Sequence, residues 1–327
     1  METIIAAIIK SILIILFLLT GFAYMTWFER RAVARLQGRL GPNRVGPFGL
    51  FQPIADGVKL LFKEQVTPRE VNRGVYWIAP AISAAVAFLA FAIIPVGPAF
   101  DLFGNKVQPW LADVNIGILY ILSVTSLGVY GIVLGGWSSG NKYALLGSIR
   151  SSAQMISYEL SLGLAILGVV MVTGSLSTIS IVDWQGKYVW LIIPQLVGGI
   201  IYLIAGVAET NRAPFDLPEA EQELVAGYHV EYGGLRFTMY FMAEYINMIT
   251  VSAIATTLFL GGWNGPLLPP FIWFMIKVIA CLFVFIWLRA TLPRMRYDKL
   301  MRFGWTRLLP LAVLNVAVTA IAVVIWG

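Results

Sequence analysis

Residues 116–134 read IGILYILSVTSLGVYGIVL, nineteen positions without an acid or a base. At 1.5 Å per helical residue this stretch is long enough to cross a hydrocarbon core about 30 Å thick, which takes roughly 20 apolar residues. The same reading recurs on either side, at Ile4–Thr26, Val75–Ile94, Met155–Val172, Val189–Ala208, Phe237–Leu260, Phe271–Leu288 and Leu308–Trp326. The whole chain agrees with it: 59% of 327 residues are hydrophobic and the mean hydropathy is +0.81, well above the roughly 45–50% apolar share of a soluble domain. The expected fold is all-α, a polytopic membrane protein with about eight transmembrane helices. Gly128, Gly131, Gly135 and Gly136 mark the third span as a close-packing face, with G-x-x-x-G spacing from Gly131 to Gly135.

Nineteen of the 23 Lys and Arg residues fall into four loops, nine in 29–73, two in 137–150, two in 209–236 and six in 289–307. The loops between them hold only Lys106 and Lys187, and Lys10 and Lys277 fall inside spans. Basic residues in short loops stay on the cytoplasmic side, so these four loops are expected inside and both termini outside. The net charge of +6 therefore reports topology and not a nucleic-acid partner. The first span lacks a basic leader and a small-residue cleavage site, and is expected to remain as an anchor. Trp27, Trp77, Trp110, Trp137, Trp184, Trp263 and Trp305 lie near span ends, the pattern of an interfacial aromatic belt.

One His and one Cys cannot build a haem sandwich or an iron–sulfur cage, and neither a phosphate loop nor a G-x-G-x-x-G turn is present. Cys281 reads as a packing residue and His229 as a loop side chain. The chain is expected to bind no cofactor itself, so redox chemistry must come from partners. Residues 49–64, GLFQPIADGVKLLFKE, put Phe51, Ile54, Val58, Leu61 and Phe62 on one side of a helix and Gln52, Asp56, Lys59 and Lys63 on the other. That is an amphipathic helix suited to the membrane interface, with Pro53 in its first turn.

Residues 208–234 read AETNRAPFDLPEAEQELVAGYHVEYGG and hold Glu209, Asp216, Glu219, Glu221, Glu223 and Glu231, six of the 17 acids. If Leu217–Val225 is helical, Glu219 and Glu223 share a face, where like charges disfavour full ionisation of both. Within the spans, Glu159, Glu244 and Lys277 are costly in lipid, so they must face protein or water. Two readings stay open for them: a structural pair of Lys277 with a glutamate, or a proton path through the carboxylates.

Three segments together resemble one membrane-subunit family of proton-pumping NADH:quinone oxidoreductase, respiratory complex I: the bacterial H subunit, known in mitochondria as NADH dehydrogenase subunit one. They are Glu29-Arg30-Arg31 continuing into RLQGRLGPNRVGPFGLFQPIADGVKLLFKE, then AETNRAPFDLPEAEQELVAGYHVEYGG, then LRATLPRMRYDKLM at 288–301. The resemblance spans essentially the whole chain. It implies one membrane domain, residues 1–327, with a quinone-site loop at 29–73, an acidic loop at 209–235 and a basic loop at 289–307. Glu29, Arg30, Gln37, Arg39, Asp56, Lys59 and Lys63 would lie at the wall or mouth of a quinone chamber. Glu209, Glu219, Glu221, Glu223 and Glu244, with Glu159 deeper, would form a proton relay, and Asp216 and Glu231 are further candidates in the same loop. Some relatives carry an acid in the third span where this chain has only Ser123, Thr125 and Ser126, so either hydroxyl-held water bridges that step or the route differs.

The implied partners are the quinone-site and iron–sulfur subunits of a hydrophilic arm, small membrane subunits and antiporter-like pump subunits. FMN and iron–sulfur clusters would sit in those partners and quinone would be the substrate. A bacterial inner membrane is the expected location, with the mitochondrial inner membrane as the alternative. The rival readings are the equivalent component of an ion-translocating hydrogenase or ferredoxin-driven complex, a secondary transporter, which calls for an inverted repeat not visible in the sequence, and a structural anchor.

Overall fold

The computed structural model describes residues 2–69, 71–102, 105–216 and 227–326. In chain order it contains α1 (Glu2–Leu36), α2 (Gln52–Leu61), α3 (Arg73–Phe91), a hairpin of β1 (Phe100–Leu102) and β2 (Asn105–Val107), α4 (Gly117–Ser138), α5 (Lys142–Thr173), α6 (Thr178–Lys187), α7 (Leu196–Glu209), α8 (Gly234–Phe259), α9 (Pro270–Thr291), α10 (Tyr297–Phe303) and α11 (Leu309–Trp326). A π turn at Gly304–Leu308 joins α10 to α11 in one continuous run. Among the described residues, seven helical runs are long and apolar enough to cross a membrane: α1, α3, α4, α5, α8, α9 and the α10–α11 run.

The fifth expected span, Val189–Ala208, is the short helix α7 of 14 residues, about 21 Å long, preceded by turns. Pro194 has no backbone N–H for a helical ladder, so the helix starts only after it. The first span errs in the other direction. No glycine or proline interrupts the chain between Ala23 and Gln37, and α1 runs on for 35 residues, about 52 Å, which carries Glu29, Arg30 and Arg35 beyond a core about 30 Å thick.

Hydrogen bonds sort the connections into two sets. On one face, Arg236 Nη1 donates to Thr67 Oγ1 at 2.9 Å, Tyr76 OH to the Glu231 carbonyl at 2.6 Å, and Met295 N–H to the Pro214 carbonyl at 3.0 Å. These are the basic loops. On the opposite face, Ile118 N–H donates to Leu176 O at 3.0 Å, Ile192 N–H to Phe259 O at 2.9 Å, and Gly261 N–H to Gln185 Oε1 at 2.9 Å.

At the centre stands α8, 78% buried across its apolar window, whereas the α1 window is only 6% buried. The intramembrane Glu244 thus rides on the helix best shielded from lipid, as the solvation cost of a carboxylate requires. Against it, α3 and α4 pack where Gly131 sits: a Cβ there would collide with Ser83 Oγ and come within 3.2 Å of the Ala79 carbonyl. Tyr240 OH of α8 donates to the Gly131 carbonyl at 3.1 Å, which uses the same opening.

Two expectations change. Lys277 pairs with no glutamate among the described residues; its ammonium donates to the carbonyls of Leu260 at 2.6 Å, Gly262 at 3.0 Å and Asn264 at 2.6 Å, under the Trp190 ring at 4.4 Å. It lies at the α8 C-terminus, where exposed carbonyls and the helix dipole attract a cation. Of the seven expected belt tryptophans, Trp110 and Trp263 are buried in protein and do not face lipid. Cys281 is a buried member of the main apolar core.

Candidate functional site

The C-terminal turns of α1 bring a carboxylate, Glu29, into a site where it is only 5% exposed. A buried anion needs cations and donors in return. Tyr245 OH of α8 donates to Glu29 Oε2 at 2.6 Å, Arg289 of α9 ion-pairs with Oε1, and Arg212 Nη1 approaches the same oxygen at 3.7 Å. Arg212 faces two ways. Its Nε lies 2.7 Å from Glu244 Oε1, and its guanidinium carbon is 4.2 Å from the centroid of the Tyr245 ring. Two acids and two cations from four segments thus form one buried, charge-balanced network.

Local sequence explains the position of Arg212. Helix α7 ends at Glu209, Asn211 takes a left-handed φ of 51°, which Asn tolerates well, and Ala213–Pro214 is cis. Buried Gln154 of α5 holds this turn by donating to the carbonyls of Ala208 and Phe215, each at 2.8 Å. Asp216, at the end of the turn, pairs with Arg294 Nη2 at 2.7 Å.

On one side of the network a cavity of about 710 Å³ is lined by Glu29, Arg30, Gln37, Arg39, Arg212, Phe241, Tyr245 and Arg289. This volume falls within the roughly 300–1,000 Å³ typical of ligand pockets, with apolar walls and convergent polar groups. Four of the seven chamber candidates therefore meet around one space. Asp56 stands behind them, bonded to Arg30 Nη1 at 2.6 Å and to Gln52 Nε2 at 2.9 Å. Lys59 on α2 and Lys63, just past its end, are exposed side chains outside the lining of this cavity. The apolar side of α2 is bare in this chain: Ile54 is 60% and Phe62 87% exposed.

On the other side, a cavity of about 40 Å³ is lined by Glu244, Asn247, Glu209, Asn211, Tyr228 and Tyr240 among others. A water needs roughly 10–15 Å³ and two or more polar partners, and this space offers both. Beyond it, Glu209 interacts electrostatically with Glu159 and with the Thr125 side chain, and Ser126 Oγ hydrogen-bonds Glu159 Oε1. The third-span hydroxyls thus touch the acids themselves.

The acids do not all join this line. Glu231 accepts from Asn141 Nδ2 at 2.7 Å, near the stacked pair of Tyr76 and Tyr232, whose ring centroids are 4.2 Å apart. Burial pushes the Tyr232 phenol above its ordinary pKa, so it stays a neutral hydrogen-bonding group beside Ser138. Glu219, Glu221 and Glu223, with the helix expected at Leu217–Val225, lie outside the described residues.

Tyr245, Gln154 and Asn247 are site residues that lie outside the quoted motifs, and Arg212 and Arg289 lie inside them without being marked as partners of an acid. Their signal is indirect, because an acid as costly as Glu29 or Glu244 demands a cation. The partner of Glu29 in α9 is 260 positions away, and no local pattern identifies it.

The sequence model of the NADH dehydrogenase family matches residues 9–320. The chain is 55% identical over 301 residues to the H subunit of NADH-quinone oxidoreductase from Protochlamydia amoebophila, covering 92% of each chain. It is 54% identical to the H subunit from Thermomicrobium roseum, covering 95% of this chain and 93% of the relative. It is 53% identical to NADH-quinone oxidoreductase subunit 8 of Thermus thermophilus, covering 96% and 86%. With a match this long and this similar, the chain belongs to the NADH dehydrogenase family, together with the H subunits of bacterial NADH-quinone oxidoreductases.

Proposed function

We propose that this chain lines the quinone chamber of its complex and passes the charge change of quinone reduction into a proton path. The observation that carries this reading is Arg212, which spans from Glu29 at the large cavity to Glu244 at the small one. Electrons arrive from an iron–sulfur cluster in a partner subunit, and a reduced headgroup in the large cavity takes up protons. A change of charge there alters what Arg212 can neutralise. At an effective dielectric near 20, a unit charge at 4 Å interacts by about 4 kcal/mol, enough to move Arg212 between its two acids. Glu244 then exchanges protons through the hydrated cavity with Glu209, and Glu209 with Glu159. Glu219, Glu221 and Glu223 belong to the same acidic loop and would serve the chamber end of the route. Asp216 and Arg294 brace that loop.

The basic face is the cytoplasmic one in this reading, with both termini on the other side and the membrane being a bacterial plasma membrane. Loops 29–73, 209–235 and 289–307 of the single membrane domain carry the hydrophilic arm, and the bare apolar side of α2 rests at the membrane interface. FMN and the clusters reside in the arm subunits, and antiporter-like subunits receive the signal.

The test is Glu244→Gln and Glu159→Gln in the assembled complex, with electron transfer and proton uptake measured in the same vesicles. Each variant is expected to keep quinone reduction sensitive to chamber inhibitors while pumping fewer protons per electron. Unchanged stoichiometry and turnover in both would overturn the relay.

A further inference from the structure

Arg212 can carry a change of charge between the two cavities, but it is a poor conduit for protons. Its guanidinium lies 2.7 Å from Glu244 and lines the large cavity as well, and a fixed cation in a passage repels hydronium. The acids of the small cavity therefore need protons from another direction. Tyr240 lines that cavity together with Glu244 and Glu209, and from it a row of buried hydroxyls leads towards the basic face. The phenols of Tyr240 and Tyr232, residues only 3% and 6% exposed, hydrogen-bond one another. Tyr232 OH lies 3.2 Å from Ser138 Oγ, and either can donate. Glycine makes the room for this row: a Cβ on Gly135 would collide with Tyr240 OH and touch Tyr232 OH. Backbone carbonyls of α4 hold the phenol hydrogens at rest, since Tyr240 OH donates to Gly131 O at 3.1 Å and Tyr232 OH to Gly135 O at 3.4 Å.

At its outer end the row meets the loop that carries Glu231. Tyr76 stacks on Tyr232, and its OH, which donates to the Glu231 carbonyl at 2.6 Å, interacts electrostatically with both the Glu231 carboxylate and the Tyr232 phenol. Glu231 and its partner Asn141 are half-buried, at the boundary with solvent. Arg236 stands beside the row: it lies 3.6 Å over the Trp77 ring and donates to Thr67, and Glu231 offsets its charge at Tyr76. We propose that Ser138, Tyr232 and Tyr240 form a proton inlet from the basic face to Glu244, separate from the quinone cavity, with Glu231 gathering protons at its mouth. The inlet rests on the reading of Glu244 as a proton carrier. In one passage Tyr240 gives its hydroxyl proton, across water in the small cavity, to the Glu244 carboxylate and takes one from Tyr232. Tyr232 takes one from Ser138, and Ser138 takes one from protonated water beside Glu231. An O–H bond forms for each that breaks, no phenol is left ionised, and one proton has moved from the face to Glu244. Charge from the chamber and protons from the face thus meet at Glu244, through Arg212 on one side and Tyr240 on the other.

Tyr240→Phe and Tyr232→Phe each remove one hydroxyl and keep the ring with its packing, and Ser138→Ala removes the third. In the assembled complex in inverted vesicles, a path short of one hydrogen bond should conduct about tenfold more slowly, so the protons moved per electron fall by about twofold or more. Quinone reduction measured with an uncoupler should keep its rate and its sensitivity to chamber inhibitors. A merely structural hydroxyl would instead lower assembly or uncoupled turnover and leave the ratio alone, and that result in all three variants would overturn the inlet. Glu231→Gln keeps an acceptor for Asn141 at a half-buried position, so it carries the test if the core variants do not assemble: proton uptake should slow, and wild-type uptake would overturn the proposal. Glu244→Gln, measured in the same series, separates this proposal from the reading beneath it. If Glu244→Gln loses pumping while the hydroxyl variants keep the original ratio, the inlet is wrong and the relay stands; if Glu244→Gln itself pumps normally, both fall.

Discussion

Exchanging Arg212 for lysine keeps one positive charge but removes the planar fork that reaches two carboxylates at once. The Nε contact to Glu244 at 2.7 Å and the Nη1 approach to Glu29 at 3.7 Å correspond to about 6 and about 4.5 kcal/mol of Coulomb attraction at an effective dielectric of 20, before ion desolvation is subtracted. An ammonium can serve only one of these acids well. The net loss is about one charge-assisted hydrogen bond, roughly 1.5–3 kcal/mol, or about a 10- to 150-fold smaller population of the bridged arrangement. In inverted membrane vesicles, with NADH oxidation followed by absorbance and proton uptake by dye quenching, Arg212→Lys should continue to reduce quinone while protons moved per electron fall. Arg212→Gln leaves Glu29 with Tyr245 and Arg289, deprives Glu244 of its cation, and should cost about 3–5 kcal/mol of stability, visible as poor assembly. Adding Glu244→Gln should restore part of that loss, with a coupling energy of about 0.5–3 kcal/mol in the double-mutant cycle. A lysine variant that pumps with the original ratio and rate would refute Arg212 as the bridge. Strict additivity of the Arg212 and Glu244 changes would do so independently.

Ser126→Ala removes the hydroxyl that bonds Glu159 and should lower pumping without touching the quinone cavity; if inhibitor-sensitive quinone reduction fell while the proton ratio held, the assignment of Ser126 would be wrong. Gly131→Ala places a methyl group against Ser83 and should destabilise the α3–α4–α8 contact by about 1–3 kcal/mol, read as a lower melting temperature of the purified complex. An unshifted melting curve would mean that the three helices can part at no cost. Lys277→Met deprives the carbonyls of Leu260, Gly262 and Asn264 of their donor, at about 1–3 kcal/mol for each left unsatisfied, and should reduce the yield of assembled complex; wild-type yield would show that another donor takes over.

The boundary between what is legible in the sequence and what is not follows the range of the forces involved. Spans and loops can be read because an apolar run longer than the hydrocarbon core has few alternatives, and the glycine spacing around Gly131 announces a close helix contact. The amphipathic side of α2 is equally plain, and the fold leaves it bare in this chain. The sequence also isolates Glu29, Arg30, Gln37 and Arg39, which the fold gathers around one cavity, and Glu209, Glu244 and Glu159, which it sets in a line. The fifth span is shorter than its composition indicates, because Pro194 delays a helix that hydropathy alone extends.

By itself the sequence determined the class of fold, the two-faced distribution of charge and the family, because each rests on hydropathy, counts and contiguous motifs. Tertiary structure alone decided the partners. Lys277 met backbone carbonyls where a glutamate was one expectation, Glu231 was drawn away to Asn141, and Arg212 came to stand between Glu29 and Glu244. Ion pairs buried away from water act over a few ångströms and are blind to separation along the chain. Until helices distant in sequence pack together, neither the acid nor its cation carries a mark of the other.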